Sequence, residues 1–296
     1  ALVPGLAFNR RLLGPDGRVS TYKPDTQPQG IRPAGPVDER VRVLYVESAD
    51  GRPLAAVVNF GLHPDTIGGS RISADYPGVL AAALAEEVGG GLEVLFLNGP
   101  CGDINHLDPK RPGASYAPEN AQRIGRALAA QAHRALREAR WVEGEDLRAG
   151  REEVALRVRE PAPGQVEAAR AVVERHQGEP TREVVRAQGL LEVAARAGEP
   201  FTTWVSALAL GDAAFVGLPG EVFTAWGLLL RARSPFRWTG IAELVNDYVG
   251  YLPTEEAFAQ GGYETELCHG SFAEQGAGRK LVDAALRLLD RLQGRG

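Results

Sequence analysis

The chain has 296 residues and a formal net charge of −5 at pH 7. Its 44% hydrophobic and 24% charged content is that of an ordinary globular protein, long enough for one large core or two small ones. The acidic balance, with no basic patch, argues against nucleic acid as a partner. No apolar run reaches the roughly 18–20 residues that cross a bilayer, so no transmembrane segment is expected. No signal-peptide pattern opens the chain, which tilts the expected location towards the cytoplasm. Two cysteines, Cys101 and Cys268, allow one bridge or two reduced thiols.

Residues 1–36 carry prolines, little periodicity and the turn signal Pro15-Asp16-Gly17, and are expected as an extended lead-in, N-terminally incomplete. Arg40–Ser48 alternates as a strand, and Asp50-Gly51 turns it into a second strand ending at Phe60. After a polar stretch, Pro77 stands where a helix can begin, and residues 77–88 are predicted helical up to the glycines 89–91. Leu92–Leu97 reads as a buried strand. Apolar positions at 124, 128, 132 and 136 predict a helix over 118–140. A strand over 147–159 and two charged helices within 164–198, broken near Gly178–Pro180, come next. Strands at Thr202–Leu210, Ala213–Leu218 and Trp238–Leu244 follow, with a helix near 222–233. A short helix at 254–260 and an amphipathic one at 273–293, with Leu281, Ala285, Leu288 and Leu292 on one face, close the chain. The expected fold class is α/β: a single domain with a mixed sheet flanked by helices, spanning 37–296.

The chemistry concentrates at strand ends, where open α/β sheets bind ligands. One apolar strand runs into His63-Pro64-Asp65 and another into Cys101-Gly102-Asp103-Ile104-Asn105-His106. Glu221, Tyr248, Tyr251 and Tyr263 lie in later turns. A histidine and a glutamate with a third oxygen or nitrogen ligand suit zinc with an open position for water. His63 and Glu221 fit in kind, but spacing does not join residues so far apart. His133 reads as structural or solvated, and His176 as a helix-terminal charge. The Gly276–Lys280 segment lacks the spacing and preceding strand of a phosphate loop.

Several segments, in order, resemble the neutral/alkaline (non-lysosomal) ceramidase family. Asn59-Phe60-Gly61-Leu62-His63 and Ile72-Ser73-Ala74-Asp75-Tyr76-Pro77-Gly78 are similar to its N-x-x-x-H and I-S-x-D-x-x-G segments. Gly102-Asp103-Ile104-Asn105 resembles its G-D-V-S, and Pro219-Gly220-Glu221 its P-G-E. Tyr248, Tyr251, Thr254, Glu255, Glu256, Gln260, Tyr263 and Glu264 match its tyrosine-rich segment. The likeness runs over about 37–108 and 213–290; residues 145–200 carry no match.

The resemblance implies a zinc-dependent hydrolase that cleaves the amide of an N-acyl, lipid-like substrate by metal-activated water. His63, Glu221 and Tyr251 would be zinc ligands; Tyr263, Asn105 and Arg10 would stand near the scissile amide. Asp75, Asp103 and Tyr248 would order the loops behind them. Two departures stand out. The family's H-T-H-S-G-P segment, which carries another zinc histidine, is not found, and Asn105 replaces the serine of G-D-V-S-P. The family's C-terminal immunoglobulin-like domain is also absent from the sequence. His106 is a substitute ligand to test. Two other readings stay open: a non-catalytic binding or assembly protein with a degenerate metal site, and a Cys101 nucleophile with His106 or His63 as base.

Overall fold

The structure is a computed structural model that describes residues 1–21, 31–111, 115–176 and 179–294. Of the predicted Gly178–Pro180 break, Gly178 lies outside them. Within the expected lead-in the chain forms short strands β1 (Phe8–Asn9), β2 (Arg11–Leu13), β3 (Val19–Thr21) and β4 (Arg32–Pro33). Two- and three-residue strands show no period, so local pattern could not reveal them.

β5 (Arg42–Glu47) turns at Gly51, whose φ of 81° suits glycine, into β6 (Pro53–Phe60). Helix α1 (Asp75–Val88) then carries the chain over to β7 (Glu93–Asn98), which pairs parallel to β6. Parallel neighbours need such a crossover. β8 (Ile104–Asn105) pairs antiparallel with β1 and so ties the N-terminal stretch to the loop after β7. α2 (Pro118–Arg137) lies beside α1, with Ile124, Leu128 and Ala132 buried as the period predicts. Together α1, α2 and the inner face of β5–β6–β7 enclose one core around Phe60, Leu62, Tyr76 and Leu80.

The second half repeats the logic. β9 (Leu147–Arg157), helices α3 (Gln165–Arg175) and α4 (Arg182–Ala194), β10 (Pro200–Leu210) and β11 (Ala213–Gly217) follow. β12 (Glu221–Val222) leads into α5 (Thr224–Arg233), and β13 (Trp238–Ala242) returns parallel to β11, giving the order β13-β11-β10-β9. β14 (Tyr251–Leu252), α6 (Glu255–Gln260), a 3₁₀ turn at Tyr263–Thr265 and α7 (Ala277–Gln293) complete the chain. Leu281, Ala285 and Leu288 of α7 are buried with Val205, Val216, Trp226 and Ile241 in the second core.

Asn59 joins the halves. Its amide donates to Leu97 O (2.9 Å) and Ile241 O (2.8 Å), while its Oδ1 accepts from Ile241 N (3.1 Å). Nearby, Glu243 N donates to Asn98 O (3.0 Å). The architecture is mixed α/β, with two mixed sheets flanked by helices. Among the described residues no helix is long and apolar enough to cross a membrane.

Candidate active site

The carboxyl ends of β6, β7 and β11 converge, and the loops leaving them hold the polar residues. Two glycines permit the approach. A Cβ on Gly61 would stand 2.6 Å from Pro100 O, and one on Gly102 2.5 Å from Glu221 O.

His63 and Glu221, separated by 158 residues, meet here: Nε2 lies 3.1 Å from Oε2. Tyr251 reaches the same point because β12 pairs with β14 in the register Glu221↔Tyr251. Tyr248 donates its hydroxyl to Glu221 Oε1 (3.2 Å). Burial pushes the Glu221 carboxyl up, but His63, Tyr251 and the Arg10 charge more than offset this, and it ends below the usual carboxylate range. It is therefore ionised at neutral pH. Burial drives the Tyr251 and Tyr263 phenols upward, only partly countered by Arg10, so both remain neutral hydroxyls. Burial and the Glu221 charge push Tyr248 up to about 12.

Arg10 lies between these groups. Its guanidinium stands over the rings of Tyr263 (5.0 Å) and Tyr251 (5.5 Å), and its Nη1 is 3.5 Å from His63 Nε2. Tyr251 and Tyr263 themselves meet edge to face, with centroids 5.7 Å apart. Glu264, fully buried, accepts from Arg10 Nε (3.1 Å) and Arg11 Nη1 (2.7 Å). The Gly102 carbonyl accepts from Arg10 Nη2 (2.8 Å).

Asp103 and Asp75 stand behind this cluster. Asp103 accepts from Asn9 Nδ2 (2.7 Å) and from Thr224 N (2.8 Å) and Oγ1 (3.0 Å), joining β1 to the start of α5. Burial raises its carboxyl, and those hydrogen bonds oppose the rise. Asp75, at φ 50°, accepts from Thr66 Oγ1 (2.6 Å), Ile67 N (3.0 Å) and Tyr76 N (2.6 Å), which holds the loop after His63.

Asn105 and His106 point elsewhere. Asn105 donates to Tyr116 Oη at 3.5 Å and caps Leu107 N at 3.0 Å. His106 packs edge-on against Tyr116, and among the described residues its buried Nδ1 has no hydrogen-bond partner, with Asp65 3.9 Å away. Burial lowers the His106 pKa. His133 pairs with Glu87 (3.1 Å), and His176 turns back onto Val172 O (2.9 Å) at the end of α3, matching their structural readings. His269 meets Glu192 on the surface (2.8 Å). Both cysteines are free.

Two residues of this region escaped the sequence reading: Glu243 and Arg11. Glu264 was visible only as part of a matched segment. Glu243 offered one signal, a lone acid ending the apolar run that forms β13.

The zinc expectation can be tested on the donor chemistry. Among the described residues no three His, Cys, Asp or Glu side chains gather in a metal-holding group. The trio present is one imidazole nitrogen and one ionised carboxylate, both donor types zinc accepts, beside a phenol that keeps its hydrogen and for which zinc binding is unusual. The His63 ring is supported from behind by Cys101, whose Sγ lies 3.3 Å from Nδ1. His63 and Glu221 fit the ion in kind, and Tyr251 offers it a hydroxyl oxygen.

No family model and no curated protein matches the sequence. Solved structures match its fold. The neutral ceramidase from Pseudomonas aeruginosa superimposes with a TM-score of 0.62 at 19% identity, over 86% of this chain and 47% of that one. A ceramidase complexed with C2 gives 0.69 at 18% identity, over 98% of this chain and 53% of that one. The chain thus spans about half the length of each. Over most of its own length, the chain is similar in fold to neutral ceramidase.

Proposed function

We propose that the chain is a ceramidase-like hydrolase that cleaves the amide of an N-acyl, lipid-like substrate with zinc as cofactor. The observation that carries this reading is the meeting of His63 Nε2 and Glu221 Oε2 at 3.1 Å beside Tyr251, in a fold similar to ceramidase. His63, Glu221 and Tyr251 would hold the ion. When bound, it supplies Lewis acidity, polarising the amide carbonyl and making water acidic enough to attack at neutral pH. Glu221, already ionised, would bring the negative charge that a cation at this point requires. Tyr263 is a neutral donor that can hydrogen-bond the developing oxyanion or the leaving amine. Arg10, fixed by Glu264 and the two tyrosine rings, presents positive charge to the same region. Asn105 has no contact with this cluster through its hydrogen bonds, so its proposed place is the wall of the cleft rather than the reacting centre.

The non-catalytic alternative draws on one observation: the Arg10 guanidinium lies 3.5 Å from the nitrogen that would bind metal. The cysteine-nucleophile reading has the His63 contact in its favour. Against it, burial and then the Glu243 charge hold the Cys101 thiol well above its usual pKa, so it is not a thiolate. Metal analysis of the purified chain, paired with hydrolysis of an N-acyl sphingoid amide, decides between them. Bound zinc that disappears together with hydrolysis in Glu221→Ala and His63→Ala supports the hydrolase. A chain that takes up no zinc and leaves the amide intact sinks it. Hydrolysis that survives chelation but not Cys101→Ala would favour the thiol.

A further inference from the structure

β9 ends its sheet in the order β13-β11-β10-β9, so one of its edges has no strand beside it. Its register against β10 runs unbroken from Leu147 to Arg157, with no bulge and no proline to blunt that edge. Val158 N donates to Glu199 O (2.9 Å) and Gly211 N to Asp146 O (3.1 Å), so the backbone groups at even positions turn towards β10. Those at odd positions therefore turn outward. Arg157 shows where the open edge stops: its N donates to Glu274 Oε1 (3.0 Å) and its O accepts from Glu274 N (2.9 Å). Before that cap stand Ala149, Arg151, Glu153 and Ala155, all exposed. Among the described residues their outward N–H and C=O groups meet no other part of the chain.

We propose that this edge joins a second copy of the chain, β9 lying antiparallel to the partner's β9 about a two-fold axis at Glu152. A two-fold axis presents the same patch from both copies, and outward groups must face outward groups, so odd positions pair with odd positions. The open stretch 149–155 is centred on Glu152. That centre sets Arg151 opposite the partner's Glu153, and Glu153 opposite the partner's Arg151, with alanines at the two ends. Both charges stand on the face turned away from α7, which packs on the Gly150 side. Arg151 lies over the Trp204 ring (5.8 Å), and among the described residues neither charge has an ion-pair partner of its own. An axis at Arg151 or at Glu153 would instead set like charges directly opposite, which is destabilising. On the inner face Glu152 comes opposite the partner's Glu152, but Arg287 (2.6 Å) and Arg291 (2.8 Å) already hold its carboxylate. The pairing does not depend on the hydrolase proposed above.

The test is sedimentation velocity of the purified chain from about 1 to 100 μM, where a small interface associates. Wild type is expected to dimerise in that range; a monomer throughout overturns the proposal. Arg151→Glu and Glu153→Arg, both at exposed positions, each set like charges opposite and are expected to weaken association about 10-fold or more. Mixed in equal amounts, the two variants regain both opposite-charge pairs and are expected to form a heterodimer. Dimerisation unchanged in the single variants, or no gain on mixing them, overturns the proposal as well. Hydrogen exchange reads the backbone directly. The Arg151 and Glu153 amides are expected to slow as concentration rises, while the Val205 amide, inside the sheet, does not change. A dimer whose Arg151 and Glu153 amides exchange at the monomer's rate has its interface elsewhere, which sinks the idea. If a charge variant does not fold, Ala149→Pro, a change an edge strand tolerates, removes one outward N–H and is expected to disperse the dimer; dimerisation equal to wild type in that variant overturns the proposal equally.

Discussion

Glu264 compensates two guanidiniums at once, with the Arg10 and Arg11 side chains only 6% and 2% exposed. Removing it takes the salt-bridge partner from two buried guanidiniums, the case in which breaking a buried pair is costly. Glu264→Ala is expected to lose about 3–5 kcal/mol of unfolding free energy in urea denaturation; a loss near zero would contradict the assignment. Tyr263 allows a cleaner test of chemistry. Tyr263→Phe keeps the ring against Arg10 and Tyr251 and deletes only the hydroxyl. We expect kcat to fall about 10²–10³-fold with little change in KM and stability, as for loss of one oxyanion donor. Equal activity in the two proteins would remove Tyr263 from the reacting centre.

At the scale of elements, the site depends on how two crossovers are locked together. Each half is a strand–helix–strand unit whose helices cover one sheet face, but neither unit alone places His63 beside Glu221. Asn59 on β6 supplies the lock by satisfying both the N–H and the C=O of Ile241 on β13. Asn59→Leu keeps the volume and orphans those buried groups, each costing about 1–3 kcal/mol. The expected result is a lower unfolding midpoint, and faster hydrogen exchange at Ile241 than at Leu288 in α7. Unchanged exchange at Ile241 would show that other contacts join the halves.

Across the whole molecule, buried acids shape the response to pH. Burial raises Glu243 from the ordinary 4.5 to about 7, and the His63 charge and the donors from Cys101 and Val222 only partly offset it. A carboxyl with a raised folded-state pKa favours the folded state below the unfolded pKa and loses that contribution as pH rises through the folded one. In metal-free protein, wild type should therefore lose stability relative to Glu243→Gln between pH about 4.5 and about 7. Glu221 works in the opposite direction: its lowered carboxyl adds stability above the unfolded value and loses it as pH falls through the folded one. Unfolding free energies of the two proteins across that range check the first effect. A difference that is flat with pH would mean the Glu243 carboxyl titrates as it does in water.

Most helices and long strands were legible in the sequence because their signals are local. The period of 124, 128 and 132, the glycines after α1 and the Asp50-Gly51 turn all act within a few residues. His63 and Glu221 were legible as polar residues leaving apolar runs, and the tyrosines through the family resemblance. Their convergence was not, because it depends on pairings that no local pattern encodes. The β12–β14 register places Tyr251 beside Glu221, and the β1–β8 pairing delivers Arg10 to an acid 254 residues away. Glu243 was invisible for the same reason: in sequence it ends a strand, and only packing surrounds it with four donors, Cys101 N and Sγ, Val222 N and Asn98 Nδ2. What the chain by itself determined is which elements form and which chemical groups stand at their ends. The tertiary structure alone decided which of those groups meet, since burial and hydrogen-bond polarity arise only when distant segments close on one another.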